Sequence, residues 1–348
     1  MKDEQIDGAS LQVLEPQCEW SADTLGDSYV FQLSAVHLEE LDAALQHAEA
    51  RTADVLEVTR DHFPLPTLGA ELTAMAKELI DGRGVALIRG LPVEHYGKER
   101  ASSIYWGVGA HLGHPWPQNA KGHLLGDVTD QGKAYDDPTA RGNEIGGLPF
   151  PFHSDGSDLV GLFCLDAGLR GGASLVANAL AIHNELVRSA PDVAAELYGS
   201  FPYDLRGEQA PGSRSWYLMP VFTRRGERLF VRYIRPYIES SRRHGDAPVV
   251  SAAARAAMDR LDELCADPRF HVSMQLEPGD MQFVNNHHVL HARTAYEDDR
   301  AAGRIRHLKR LWLETDVLTD DAKPERFRLG RTDAYWSRGG PSKSELVV

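Results

Sequence analysis

The chain has 348 residues, 42% hydrophobic and 25% charged, which is enough apolar content for one large core or two ordinary domains in a soluble globular protein. Its formal net charge of −14 argues against the basic stripe that binds phosphate backbones, so nucleic acid is not an expected partner. Cys18, Cys164 and Cys265 are far apart and form no Cys-x-x-Cys pair, which excludes a zinc ribbon or a disulfide framework. No apolar run is long enough to span a bilayer, and the polar, acidic start Met1 to Gln5 is unlike a secretory signal, so the cytoplasm is the expected address.

In chain order, residues 1 to about 33 are weakly patterned, with Trp20 and Tyr29-Val30-Phe31 as expected contacts to the body. From Ser34, a cap residue, Leu38, Leu41, Leu45 and Ala48 recur at helical spacing, and a second helix follows Thr67 with Leu68, Leu72, Met75 and Leu79 on one face. These stripes read as packing faces. Val85 to Ile88 reads as a buried strand, and a helix spans about Lys98 to Leu112. The segment from Asn119 to Leu148 is Gly/Asp-rich and aperiodic, as a cover over a site would be. Leu159 to Leu165 and Ser174 to Ala177 read as strands, Ala181 to Ser189 as a helix, and Val221-Phe222 with Leu229 to Val231 as a hairpin. Ala252 to Ala266 reads as helix, Phe270 to Leu276 as an alternating half-buried strand, and Met281 to Val284 and Leu308 to Leu313 as further strands. Many short strands with helical inserts describe a mainly β protein of the jelly-roll kind rather than a parallel sheet.

The chemistry concentrates in two stretches. Leu148 to Asp158 contains His153-Ser154-Asp155, where residues two apart on extended backbone share a face and can converge on one ion. Far downstream, Gln282 to Arg293 offers a second imidazole. Two histidines and one carboxylate form the facial triad of non-haem Fe(II) sites, which leaves three positions open. On a strand, His287 and His291 share a face and His288 points away, so alternation excludes only His288. Arg306 and Arg310 lie four apart in an extended segment and reach the same side, with the fork geometry that clamps a carboxylate. Surface pairing with acids is the plainer reading of such arginines.

The order His153-x-Asp155, then Gly171-Gly172-x-Ser174, then Asn286-x-x-x-Leu290-His291-x-Arg293, then Arg306-x-x-x-Arg310 resembles the TauD/TfdA family of 2-oxoglutarate-dependent dioxygenases, over about Gly84 to Leu313. The resemblance implies a double-stranded β-helix (jelly roll) of residues 83–348 with a helical N-terminal extension, 1–82, packed outside it. It implies Fe(II) held by His153, Asp155 and His291, with 2-oxoglutarate and O2 as co-substrates. It further implies Arg306 and Ser174 on the distal carboxylate of 2-oxoglutarate, and Arg310 toward the substrate, the two arginine roles being interchangeable. His114 and Asn119 fall where the family has substrate-contacting positions, although an ordinary turn accounts for His114 equally well.

The activity implied is radical oxidation of an unactivated C–H bond, hydroxylation first and desaturation or ring closure as alternatives on the same scaffold, with succinate and CO2 as co-products. Asp155 argues against halogenation, because related halogenases lack that carboxylate. A small carboxylate such as an amino acid or biosynthetic acid is the expected substrate, met by an otherwise unpaired Arg310 and by aromatic walls from Trp116, Phe152 and Trp216. No membrane partner is expected, and a homodimer is compatible with the chain. A zinc hydrolase would leave the arginine pair and the Gly-Gly-x-Ser element without a task, and a non-catalytic sensor would not need an intact triad.

Overall fold

The structure is a computed structural model and describes residues 11–14, 19–119, 121–133, 144–209 and 212–328. Cys18, the first ten residues of the lead-in, 120 and 134–143 of the expected cover, 210–211, and 329–348 lie outside them.

The runs that read as buried strands assemble into a larger sheet. Val85–Arg89, Met281–Asn285, Leu159–Asp166 and His307–Glu314 lie side by side in that order. Val30–Gln32 adds in parallel outside the first, and His114–Pro115 and Leu125–Val128 pair with the last. A smaller antiparallel sheet runs His271–Met274, Ser174–Asn178, Val289–Arg293, Phe150–His153. Met281–Asn285 sits between Val85–Arg89 and Leu159–Asp166, and Val289–Arg293 between Ser174–Asn178 and Phe150–His153, so these neighbours within a sheet are distant in sequence, and the architecture is the jelly roll that the sequence implied.

The helix Val93–Leu112 packs on the outer face of the larger sheet, against Leu159–Asp166 and His307–Glu314. It begins earlier than its periodicity suggested, because Gly97 at φ +74° breaks its first turn from the rest. Contact with the sheet is close at Gly161, where a Cβ would lie 2.4 Å from the Tyr105 hydroxyl and 2.7 Å from the Phe283 ring. The helix Ala35–Glu49 is capped by Ser34, and its Leu41, Leu45 and Ala48 are buried. The helix Leu68–Asp81 buries Leu68, Leu72, Met75 and Leu79. Thr67 does not cap it with its side chain; Glu40, from the neighbouring helix, accepts the Thr67 and Leu68 N–H groups instead. One buried cluster runs from Leu41 and Leu72 through Tyr105 to Phe163 and Phe283, so the N-terminal helices share a core with the sheet.

The insertion after Ser174–Asn178 comprises the helices Ala179–Ser189 and Pro191–Tyr198, the expected hairpin Phe222–Arg225 with Arg228–Val231, and a second hairpin, Ser200–Asp204 with Trp216–Pro220. That second hairpin was not read from the sequence, where Pro202 and Pro220 obscure its alternation. No helix among the described residues is long and apolar enough to cross a membrane.

Candidate active site

A cavity lies between the two sheets. From the smaller sheet it is lined by Phe150, His153, Ser174, His291 and Arg293, and from the larger by Leu308, Arg310 and Trp312, alternate residues of one strand. His153, Asp155 and His291 each offer one ligand atom here, all within 4.8 Å of one another, and among the described residues no other such group of three is found. His153 and His291 face each other across the strand pair. The register there slips, with His291 opposite His153 but Arg293 opposite Phe150, so the first strand carries one extra residue. This bulge turns Phe150 onto the His153 side, with ring centroids 4.5 Å apart. Asp155 lies past the strand end, so the shared face of residues i and i+2 is set by the loop and not by a continuous strand.

The loop is held from several sides. The Nδ1–H of His153 donates to the Pro151 carbonyl at 2.9 Å, and because a carbonyl only accepts, the free lone pair is on Nε2. Asn286 accepts the Asp155 N–H at 3.1 Å and donates to the Ser157 carbonyl and hydroxyl. Arg232 donates to the carbonyls of Ser154 and Asp155 at 2.7 and 2.9 Å. The Asp155 Oδ2 accepts the Trp312 indole N–H at 3.0 Å and has an Arg310 nitrogen 3.5 Å away.

These contacts set the charge states. Burial alone pushes the Asp155 carboxyl up, but Arg310, the two imidazoles and the Trp312 donor outweigh it and hold Asp155 well below the usual carboxylate range. Burial, reinforced by His291, pulls His153 down to about 3, and burial also lowers His291. Near neutral pH the set is therefore two neutral imidazoles and one carboxylate, the protonation state that a divalent metal requires.

His287 does not join the triad. The backbone from Asn286 to His288 is a turn rather than a strand, so the expected alternation starts only at Val289. His287 lies 2.8 Å from Asp158 Oδ1, while Lys323 donates to Asp158 Oδ2 at 2.7 Å, forming a buried cluster behind the loop.

Arg306 and Arg310 both line the cavity. Arg306 is buried, its Nη1 has no hydrogen-bond partner, and its other contacts are the Gly172 carbonyl at 3.4 Å and the Tyr296 ring. Burial, with help from Arg293, lowers it to about 10. Arg310 is not the unpaired cation that the sequence suggested: besides Asp155 it donates to Gln118 Oε1 at 2.8 Å. Ser174 lines the cavity, but its hydroxyl donates to Gln282 at 2.9 Å.

Two of the named positions lie elsewhere. His114 is exposed and sits 3.3 Å from Asp316, and Asn119 caps a turn by accepting the Lys121 and His123 N–H groups; neither lines the cavity. The aromatic walls are Phe150, Tyr237 and Trp312 in place of Trp116, Phe152 and Trp216. Phe152 loses its place to the bulge, and the Trp216 indole turns to Asp246. Arg232 and Trp312 were not assigned to the site from sequence. Of these, Trp312 was within reach, standing two residues from Arg310 on one strand and hence on its face.

Fold and donor set together define an iron oxygenase of the jelly-roll kind. The family model "Taurine catabolism dioxygenase TauD, TfdA family" matches residues 44–312. The chain is similar to FR-33289 synthase of Streptomyces rubellomurinus, 32% identical over 283 residues that cover 80% of this chain and 82% of that protein. It is also similar to the taurine hydroxylase-like protein SAT17 of Stachybotrys chartarum, 25% identical over 303 residues, covering 84% and 77%. Among solved structures it shares its fold with asparagine oxygenase in complex with Fe(II), 3-hydroxyasparagine and succinate, at TM-score 0.65 and 19% identity, covering 88% of this chain and 98% of that one. The non-haem iron oxygenase OrfP with Fe and alpha-ketoglutaric acid matches at TM-score 0.60 and 18% identity, covering 82% and 94%. The chain belongs to the TauD/TfdA family and is a 2-oxoglutarate-dependent dioxygenase with Fe(II) as its metal.

Proposed function

We propose that the enzyme hydroxylates an unactivated C–H bond of a small anionic substrate carrying a carboxylate, consuming 2-oxoglutarate and O2 and releasing succinate and CO2. The observation that carries the substrate class is the charge of the cavity wall. Among the described residues, Asp155 is the only acidic side chain lining it, against Arg232, Arg293, Arg306 and Arg310. A cationic substrate would find no carboxylate there besides Asp155, which Trp312 and Arg310 already engage, whereas an anion would meet buried guanidinium groups.

Fe(II) fits this donor set: His153 presents Nε2 because its Nδ1–H is committed to Pro151, and Asp155 has its Oδ2 engaged by Trp312 and Arg310 while Oδ1 has no hydrogen-bond donor among the described residues. His153, Asp155 and His291 would hold the metal, with its remaining positions free for the co-substrate and O2. When bound, the iron couples decarboxylation of 2-oxoglutarate to abstraction of a substrate hydrogen atom.

The chain's own residues do the placement. Arg306, buried and with an unmet donor, is the proposed anchor for the distal carboxylate of 2-oxoglutarate. Arg310 keeps Gln118 and Asp155 in place and presents its remaining surface to the substrate. Phe150, Ile234, Tyr237 and Leu308 supply an apolar wall that excludes water and would pack against the substrate body. The test is a panel of carboxylic acids, their amides and the corresponding amines, assayed by succinate release above the substrate-free rate. Stimulation by acids alone is the expected result; equal stimulation by amides or amines would overturn the substrate class.

A further inference from the structure

We propose that Arg293 is a second binding residue for 2-oxoglutarate, sharing the distal carboxylate with Arg306. This rests on the reading above that Arg306 receives that carboxylate.

Arg293 closes the Asn286-x-x-x-Leu290-His291-x-Arg293 motif, yet nothing in the metal site uses it. Two residues beyond His291 on the same strand, its side chain falls on the cavity side with that ligand. Its Nη2 donates to the main-chain carbonyls of Leu148 at 2.8 Å and Ile145 at 3.3 Å, and its Nε is buried without a partner. Arg306 matches it: one carbonyl contact, and a buried Nη1 without a partner. Both guanidinium groups lie over the Tyr296 ring, at 4.9 and 5.2 Å from its centroid. The ring face attracts the two cations without neutralising either.

Two buried unmet donors on adjacent cations call for an acceptor with two oxygens and a negative charge, and a carboxylate is that group. Ser174, the register partner of Arg293 on the neighbouring strand, is poorly placed to be the second donor because its proton goes to Gln282. The hydroxyl can accept but has nothing left to give a carboxylate. Arg293 takes the task that the Gly-Gly-x-Ser element alone would suggest for the serine.

The experiment titrates the anaerobic Fe(II) protein with 2-oxoglutarate and with 2-oxobutanoate, which chelates iron in the same way but has no distal carboxylate, following the visible charge-transfer band. The ratio of the two dissociation constants isolates the distal carboxylate. Arg293→Met is expected to shrink that ratio by about tenfold, the effect of losing one charge-assisted hydrogen bond. Arg293→Lys, which keeps the cation but not the Nε donor, should fall between wild type and Met, and it carries the same comparison if the Met variant does not fold. A residue that only braces Ile145 and Leu148 would weaken both keto acids equally, and an unchanged ratio would overturn the proposal. Arg306→Met separates the two readings. If it shrinks the ratio and Arg293→Met does not, Arg293 alone is misassigned; if Arg306→Met leaves the ratio intact, the placement of the co-substrate at Arg306 is at fault.

Discussion

The indole N–H of Trp312 donates to Oδ2 of Asp155 at 3.0 Å, joining the larger sheet to the carboxylate on the loop that follows the smaller one. With Arg310 at 3.5 Å from the same oxygen, Oδ1 is left as the oxygen available to metal. Trp312→Phe keeps an aromatic ring at this position and removes the N–H donor. Fe(II) affinity, measured by anaerobic titration, should fall by about 10- to 100-fold, as is usual when a partner of a metal ligand is lost. Unchanged affinity would mean that the indole is packing only.

The two histidines four residues apart should separate cleanly. His291→Ala removes one of three protein bonds to iron, so retention of metal and succinate formation should both be lost. His287→Ala leaves the metal donors in place but takes a partner from buried Asp158, whose remaining contacts are Lys323 and the Thr315 N–H. It should bind iron and lose about 1–3 kcal/mol of stability in urea unfolding. Iron loss in His287→Ala with retention in His291→Ala would reverse the assignment.

Gly172 links the Gly-Gly-x-Ser element to the arginine site. It sits at φ +72°, and a Cβ there would lie 2.6 Å from Nε of Arg306. Gly172→Ala should therefore strain the turn and displace the guanidinium. The dissociation constant for 2-oxoglutarate should rise by about tenfold, with Fe(II) affinity unchanged, since one charge-assisted contact is misplaced. A parallel loss of iron binding would show that the whole sheet had shifted.

Stability should also fall in mild acid for a reason outside the metal site. His183 is fully buried, faces the Tyr198 hydroxyl at 2.8 Å and Asn184 at 3.2 Å, and burial lowers it to about 4. The unfolded chain, near 6.5, binds the proton first, so this contribution is complete above pH 6.5 and is lost as pH falls toward 4. The loss is about 3 kcal/mol. His183→Gln should flatten the pH dependence of unfolding over that interval by about one proton; an unaltered slope would show that other groups govern it.

Much of this is legible in the sequence, for identifiable reasons. Leu159–Asp166 and His307–Glu314 are continuous or alternating apolar runs, and Ser34 followed by a helical stripe is a local signal, so both survived folding intact. The triad was legible as far as a short spacing and a motif carry it. What failed was whatever depends on register between distant strands. The bulge opposite His291 put Phe150 and not Phe152 on the wall, and the turn at 286–288 cancelled the alternation that placed His287 beside His291. Arg310 was read as unpaired because its partners, Gln118 and Asp155, are 192 and 155 residues away in sequence. His114 and Asn119 were placed by position in a loop, and loop position alone does not fix which way a side chain turns.

The central claim is that His153, Asp155 and His291 hold iron in a site that also chelates 2-oxoglutarate. The most direct measurement is the visible spectrum of the metal-free protein after anaerobic addition of Fe(II) and 2-oxoglutarate, for wild type beside Asp155→Ala and His291→Ala. The expected result is a weak charge-transfer band in the wild type that is absent from both variants. No band in the wild type, or a band that persists when either ligand is removed, would contradict the claim.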